Sequence, residues 1–309
     1  MLPQVLSVDQ YRALDRRDPA FAVAATSILA GLRLPSGEIT FPEDGSSPVT
    51  LVGGQRVIKF FAPPFIDAFR TEKSALLFLR PLGSLAPALE AEGLIDAWSY
   101  VVMSRLPGSS LKALWPSLTE QERYEACFQV GQALRTIHEL SISDGEVEIV
   151  NWAEFMAAQS AACVYRQETL GLRPDLLRQV EPFLRSVQLQ TSGPPSFLHT
   201  EVMRDHVFFD RRGGRLEFSG FIDFEPSMVG EREYDFAAAG IFLSSGDAQA
   251  LRAFFEGYGN LDAVNEDFRR RVLTYALLHK YSNLKWYLEF MPDGATLDEL
   301  AAKWWATGD

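Results

Sequence analysis

The chain has 309 residues and a formal net charge of −12, from 41 acidic and 29 basic side chains. At 47% hydrophobic and 23% charged it has an ordinary globular make-up, long enough for one large domain or two lobes with a sizeable core. The acid excess argues against nucleic acid or anionic membrane as a partner, since both reward basic surfaces, and it suits a small cationic ligand, although solubility alone explains the total.

The sequence opens without a basic start and apolar run, and no apolar stretch approaches a membrane span, so a cytoplasmic protein is expected. Cys127 and Cys163 lie in helical patterns outside any metal-ligand spacing and are expected as buried, reduced thiols.

Residues 1–36 hold one expected helix, Ala20–Leu32, and no functional clue. From Glu38 to Phe61, short β-branched runs separated by glycine turns predict an antiparallel meander, with Lys59 inside its apolar last strand. Taken alone, such a lysine sits on an exposed strand face. Phe69–Leu79 reads as a helix carrying Glu72, and Ser99–Ser104 as a strand that stops at Pro107-Gly108. Ser117/Glu120 and Thr119/Glu122 are candidate capping boxes for a helix with Cys127, Val130, Leu134 and Ile137 on one face. His138, beside that stripe, is expected as a satisfied core histidine. Asn151–Leu170 and Pro174–Gln190 are further helices, the second kinked by Pro182.

The densest chemistry lies in Ser196–Asp235. An apolar entry, Phe197-Leu198, leads to a loop holding His199, Glu201, Asp205 and His206. The strand Val207–Phe209, the turn Gly213-Gly214 and the strand Leu216–Ile222 follow, ending on Asp223; this is a hairpin signal. Acids and imidazoles crowded near a core are costly unless a metal or a proton transfer uses them. Helices are expected at Tyr234–Phe242, Asp247–Tyr258, Asn265–Phe290 and Leu297–Ala306. Strands before about residue 104 and helices after it predict an α+β protein with lobes 1–103 and 104–309.

The loop H-T-E-V-M-R-D-H, from His199 to His206, and the I-D-F at Ile222–Phe224 resemble the H-x-D-x-x-x-x-N loop and metal-binding I-D-F of the aminoglycoside phosphotransferase and choline kinase family. These are relatives of the protein kinases, and the wording is closest to the hygromycin B kinase branch. Two letters depart: Glu201 stands where the family has its catalytic Asp, and His206 where it has a metal-binding Asn. The resemblance implies a protein-kinase-like, two-lobed fold and an ATP-dependent kinase, with GTP as the alternative donor, acting on a hydroxyl of an aminoglycoside-like, amino-alcohol or sugar substrate. By the same resemblance Lys59, steadied by Glu72, holds the phosphates, and the turn with Ser46 and Ser47 covers them through backbone N–H groups and hydroxyls. Met103, the Ser104 carbonyl and the Leu106 amide would meet the adenine, and Asp223 would bind Mg²⁺ or Mn²⁺. His206 would ligate a softer ion, or Asp205 take over that role, or the metal bind weakly. Glu201 would be the base, His199 structural near the Asp223 turn, and Asp235 a support for the loop from the following helix. Glu225, Glu231 and Glu233 are candidates to face a cationic substrate. The same two departures motivate an alternative: a pseudokinase-like protein that binds nucleotide or a partner and transfers little phosphate. The oligomeric state is open.

Overall fold

Successive side chains of a strand point to opposite faces, and in Arg56–Phe61 this separates an apolar pair from the one that holds Lys59. Ile58 and Phe60 join one core cluster, whereas Lys59 and Phe61 face the other way. The computed structural model describes residues 1–43, 45–142, 150–189 and 193–308. It divides into two compact units, Met1–Pro107 with Ser219–Pro226, and Gly108–Phe218 with Ser227–Asp309.

The first unit begins with α1 (Val8–Arg12), capped by Ser7, and α2 (Pro19–Leu32), capped by Asp18 with Pro19 in its first turn. Strands β1 (Ile39–Thr40), β2 (Val49–Val52) and β3 (Arg56–Phe61) follow, then α3 (Ile66–Leu79), β4 (Leu89–Ile95) and β5 (Trp98–Ser104). The five strands form an antiparallel sheet in the order β1-β2-β3-β5-β4. Phe21, Ala25 and Ile28 of α2 pack with Ile58, Phe60, Trp98 and Val102 on one face of this sheet. On the other face α3 brings Phe69 to Phe61, ring centroids 5.7 Å apart, and Glu72 to Lys59. Two elements here were not expected from the sequence, α1 and β4. In β4, Glu90, Glu92 and Gly93 are poor strand formers, and pairing with β5 overrides that propensity. Gly93 is required there, because a Cβ would lie 2.5 Å from the Tyr100 hydroxyl.

The second unit carries β6 (Ser109–Ser110), α4 (Leu111–Leu114), α5 (Glu120–His138), α6 (Trp152–Thr169) and α7 (Pro174–Ser186). Then come β7 (Ser196–Leu198), β8 (Val207–Arg212), β9 (Arg215–Phe221), whose last three residues belong to the first unit, and β10 (Met228–Gly230). The chain finishes with α8 (Glu233–Ala238), a π-helical turn at Ala239–Ser244, α9 (Ala248–Tyr258), α10 (Glu266–Leu278), α11 (Leu284–Tyr287) and α12 (Leu297–Trp304). β7 pairs β10 and β6 pairs β8, both antiparallel. Thr119 and Glu122 form the capping box of α5, whereas the Ser117 hydroxyl donates to the Leu114 carbonyl instead. Cys127, Val130, Leu134 and Ile137 are fully buried, as is the free thiol Cys163. Gln190, the expected end of α7, lies outside the described residues.

The expected single helix Asn265–Phe290 is instead two, broken between Leu278 and Leu284. Partners from other elements take the backbone groups released by the break. The Tyr234 hydroxyl accepts the Lys280 amide at 3.0 Å, and the Gln167 side-chain Oε1 accepts the Leu284 amide at 2.9 Å. Among the described residues no helix is long and apolar enough to cross a membrane.

Candidate active site

In the first unit the site is built on β3, α3 and the turn after β9. Lys59 is 5% exposed, and its ammonium donates to Glu72 Oε2 at 3.0 Å and to Asp223 Oδ1 at 2.6 Å. A third carboxylate, Glu225, lies 3.0 Å away. Burial alone would discharge the lysine, but Asp223, Glu72 and Glu225 outweigh it and raise the pKa of Lys59 well above its ordinary value. Burial pushes the Glu72 carboxyl up, against the pull of Lys59. One ammonium facing three carboxylates leaves two formal negative charges in this cluster. Oxygens of Glu72, Asp223 and Glu225 lie within 4.8 Å of one another, a hard-donor set that fits magnesium or manganese.

The backbone around this carboxylate set is constrained. Asp223 has φ +67, in the left-handed region that an Asp tolerates better than most residues. Gly220 has φ +146, and a Cβ there would lie 2.7 Å from the Ser84 carbonyl oxygen and 2.9 Å from the Leu106 side chain. At the end of β5, Ser104 donates its amide to the Ala88 carbonyl and accepts the Ala88 amide on its hydroxyl, while Arg105 donates to the Gln55 carbonyl. Met103 is buried at 7% exposure and Leu106 equally so.

In the second unit the site is the turn after β7. Thr200 has φ +71, a conformation that costs a β-branched residue about 1–3 kcal/mol. Both ends of its peptide are gripped. Asp235, fully buried on α8, accepts the Thr200 amide at 2.5 Å and the His199 amide at 3.0 Å. His279 Nε2 donates to the Thr200 carbonyl at 3.1 Å, and its Nδ1 accepts the Tyr281 amide at 3.2 Å. Burial lowers the His279 pKa to about 4, so the neutral ring that this pairing needs is the stable one. Behind Asp235, His138 Nε2 lies 2.9 Å from the carboxylate and its Nδ1 2.9 Å from the Tyr258 hydroxyl.

Glu201 follows this fixed peptide, with its amide donating to His199 Nδ1 at 3.3 Å. His206 Nδ1 donates to the Glu201 carbonyl at 3.2 Å and sits 3.8 Å from its carboxylate. Arg204 anchors the loop: its guanidinium donates to the carbonyls of Leu243 (2.6 Å) and Ser244 (2.8 Å) and lies 3.5 Å over the Trp115 ring. Burial draws the Arg204 pKa down to about 10. Asp205 pairs with Lys112 at 2.6 Å.

In the first unit an ammonium is locked between a helix glutamate and a strand-end aspartate, and in the second a loop is pinned by a buried Asp. The sequence matches the family described as "Phosphotransferase enzyme family" over residues 38–271. The chain belongs to this family. No curated protein matches the sequence. Among solved structures the phosphotransferase is similar to an aminoglycoside 2'-phosphotransferase-IIIa in its GDP complex, at 18% identity and a TM-score of 0.66, with 87% of this chain and 94% of that one covered. It is also similar to APH(2'')-IIa in a ternary complex with streptomycin and ATP, at 18% identity and TM-score 0.61, covering 82% and 89%. A third is APH(3'')-Id from Streptomyces rimosus with ADP and streptomycin, at 17% identity and TM-score 0.62, covering 83% and 98%. At these identities the likeness speaks for the fold, which is the α+β, protein-kinase-like one.

Several residues of this phosphotransferase behave differently from the sequence expectation. Of the three acids proposed to face a cationic substrate, Glu225 is paired with Lys59. Glu233 makes a two-pronged pair with Arg271 at 2.8 and 2.9 Å, and Glu231 is 9% exposed. Tyr11, Arg16, Arg204 and His279 were not singled out at all. Each has a partner 30 to 79 residues away along the chain, Phe65 for Tyr11, Ser46 for Arg16, Leu243 for Arg204 and Thr200 for His279, so no local pattern reveals them.

Proposed function

We propose that the protein is an ATP-dependent small-molecule kinase that phosphorylates a hydroxyl of an aminoglycoside-like, amino-alcohol or sugar acceptor. The observation that carries this reading is the Lys59–Glu72–Asp223 constellation inside a chain of the phosphotransferase family. Phosphoryl transfer is mainly positioning and charge neutralisation. Lys59 binds phosphate oxygens and Glu72 keeps its ammonium in place. Asp223, with Glu225 beside it, holds the divalent ion, whose chemistry is to neutralise phosphate charge. The Gly45–Ser47 turn covers the phosphates with backbone N–H groups and hydroxyls, and Met103, Ser104 and Leu106 meet the base. In the second unit Glu201 orients the acceptor hydroxyl and receives its proton, on a peptide held by Asp235 and His279. His206 takes the position of the family's metal-binding Asn. In this reading lobe 1–103 carries the nucleotide-binding sheet and helix, and lobe 104–309 the catalytic loop and the metal-binding strand. Because similar structures hold streptomycin or gentamicin, and because the wording is closest to hygromycin B kinases, an aminocyclitol hydroxyl is the first acceptor to try. With ATP, Mg²⁺ or Mn²⁺ and an aminoglycoside panel, purified protein should release ADP, and Glu201→Ala should lower that rate about a hundredfold or more. Acceptor-independent ADP release, or none under either metal, would count against the reading.

A second reading, a pseudokinase, rests on Glu201 and His206 in place of Asp and Asn. Glutamate is one methylene longer, and a misplacement of about 1 Å costs roughly a hundredfold. A thermal shift by ATP that ignores divalent metal, joined to inert chemistry, favours this reading.

A further inference from the structure

The first seventeen residues reach the turn Gly45–Ser47 at several points. Arg16 Nε donates to the Ser46 carbonyl at 3.0 Å, while its Nη1 donates to the carbonyls of Leu14 at 2.6 Å and Arg12 at 3.1 Å. The neighbouring Arg17 donates to the Glu43 carbonyl. The Arg16 guanidinium lies 5.3 Å over the ring of Tyr11, and that ring packs on Phe65 at 4.3 Å, just before α3. Tyr11 thus backs the guanidinium that holds the Ser46 carbonyl. So the segment that follows α1 holds the backbone of the phosphate turn through Arg16, with the Tyr11 ring beneath its guanidinium.

The geometry has a direct consequence. In a planar trans peptide the C=O and the next N–H point to opposite sides. Drawing the Ser46 carbonyl to Arg16 therefore aims the Ser47 N–H away from Arg16. Nothing beyond its chain neighbours lies within 4 Å of where a Gly45 Cβ would be. An open flank with a directed amide is what a phosphate tail needs.

We propose that Tyr11 and Arg16 are positioning residues of the nucleotide site, holding the Gly45–Ser47 turn in the shape that cradles the terminal phosphates of a nucleoside triphosphate. The inference rests on the kinase reading, through the assignment of this turn as the phosphate cover. Arg16 sets the peptide plane, and the Tyr11 ring, packed on Phe65, supports its guanidinium.

Isothermal titration separates the possibilities. The probes are the non-hydrolysable AMP-PNP with Mg²⁺, and adenosine, which has a base but no phosphates. Tyr11→Leu, which removes the ring under the guanidinium, and Arg16→Gln should each weaken AMP-PNP about 3- to 10-fold and leave adenosine affinity unchanged. If both variants bind AMP-PNP as tightly as the wild type, or lose AMP-PNP and adenosine in parallel, the positioning role is overturned and the kinase reading stands. If the wild type itself fails to bind AMP-PNP, the kinase reading falls and takes the inference with it.

Discussion

At the residue scale, function depends on side chains held in unusual states by their surroundings. Lys59 is the clearest case. Its raised pKa means that its pairing contributes stability at every pH below its ordinary value of 10.5, and that contribution is lost only in strong alkali, as pH rises through the folded-state value. His279 has the opposite sign. Its pKa falls from 6.5 to about 4 on folding, so the unfolded chain takes up a proton first as pH drops. Stability is full above 6.5 and is lost as pH falls towards 4, in total about 3 kcal/mol. His279→Gln should remove this part of the acid slope in urea unfolding measured from pH 7 to pH 4. Equal slopes in wild type and variant would show that the ring does not titrate this way. Lys59, Glu72 and Asp223 form a pattern by order and spacing, and the structure pairs the lysine with both acids. His279 and Arg204 were not legible, since a hydrogen bond to a carbonyl 79 or 39 residues away leaves no mark in local sequence.

At the element scale the same contrast holds between local and tertiary signals. α2, α5 and α9 were readable because capping residues and apolar periodicity agree with their burial. The break after α10 was not, because Tyr234 and Gln167 create it from elsewhere in the fold. β4 was hidden by glutamates that only its partner strand makes sense of. The α5–α9 contact depends on two glycines. A Cβ on Gly131 would lie 2.1 Å from the Phe254 carbonyl oxygen, and one on Gly257 2.0 Å from that of Phe128. Gly131→Ala should therefore destabilise by about 1–3 kcal/mol or more through overpacking. Gly31→Ala, inside α2 with nothing within 4 Å of the new methyl, should stabilise by up to about 1 kcal/mol. Thermal unfolding of both variants checks the pair, and a neutral Gly131→Ala would mean that the two helices can move apart cheaply.

At the scale of the whole molecule, an acidic chain concentrates two surplus negative charges around the buried Lys59 cluster. Such a cluster favours a divalent cation, and it is costly to keep without one. That cost is the physical argument for catalysis over a retired kinase, and the long Glu201 is the argument against. Phosphorus-31 NMR of the protein with ATP, Mg²⁺ or Mn²⁺ and a panel of aminocyclitol and amino-alcohol acceptors decides between them. The account predicts a phosphomonoester signal that grows as the γ-phosphate disappears, and that is absent in Glu201→Gln although this variant still binds ATP. A wild type that binds ATP and passes phosphate to no acceptor, or a Glu201→Gln variant that transfers as fast as the wild type, would contradict it.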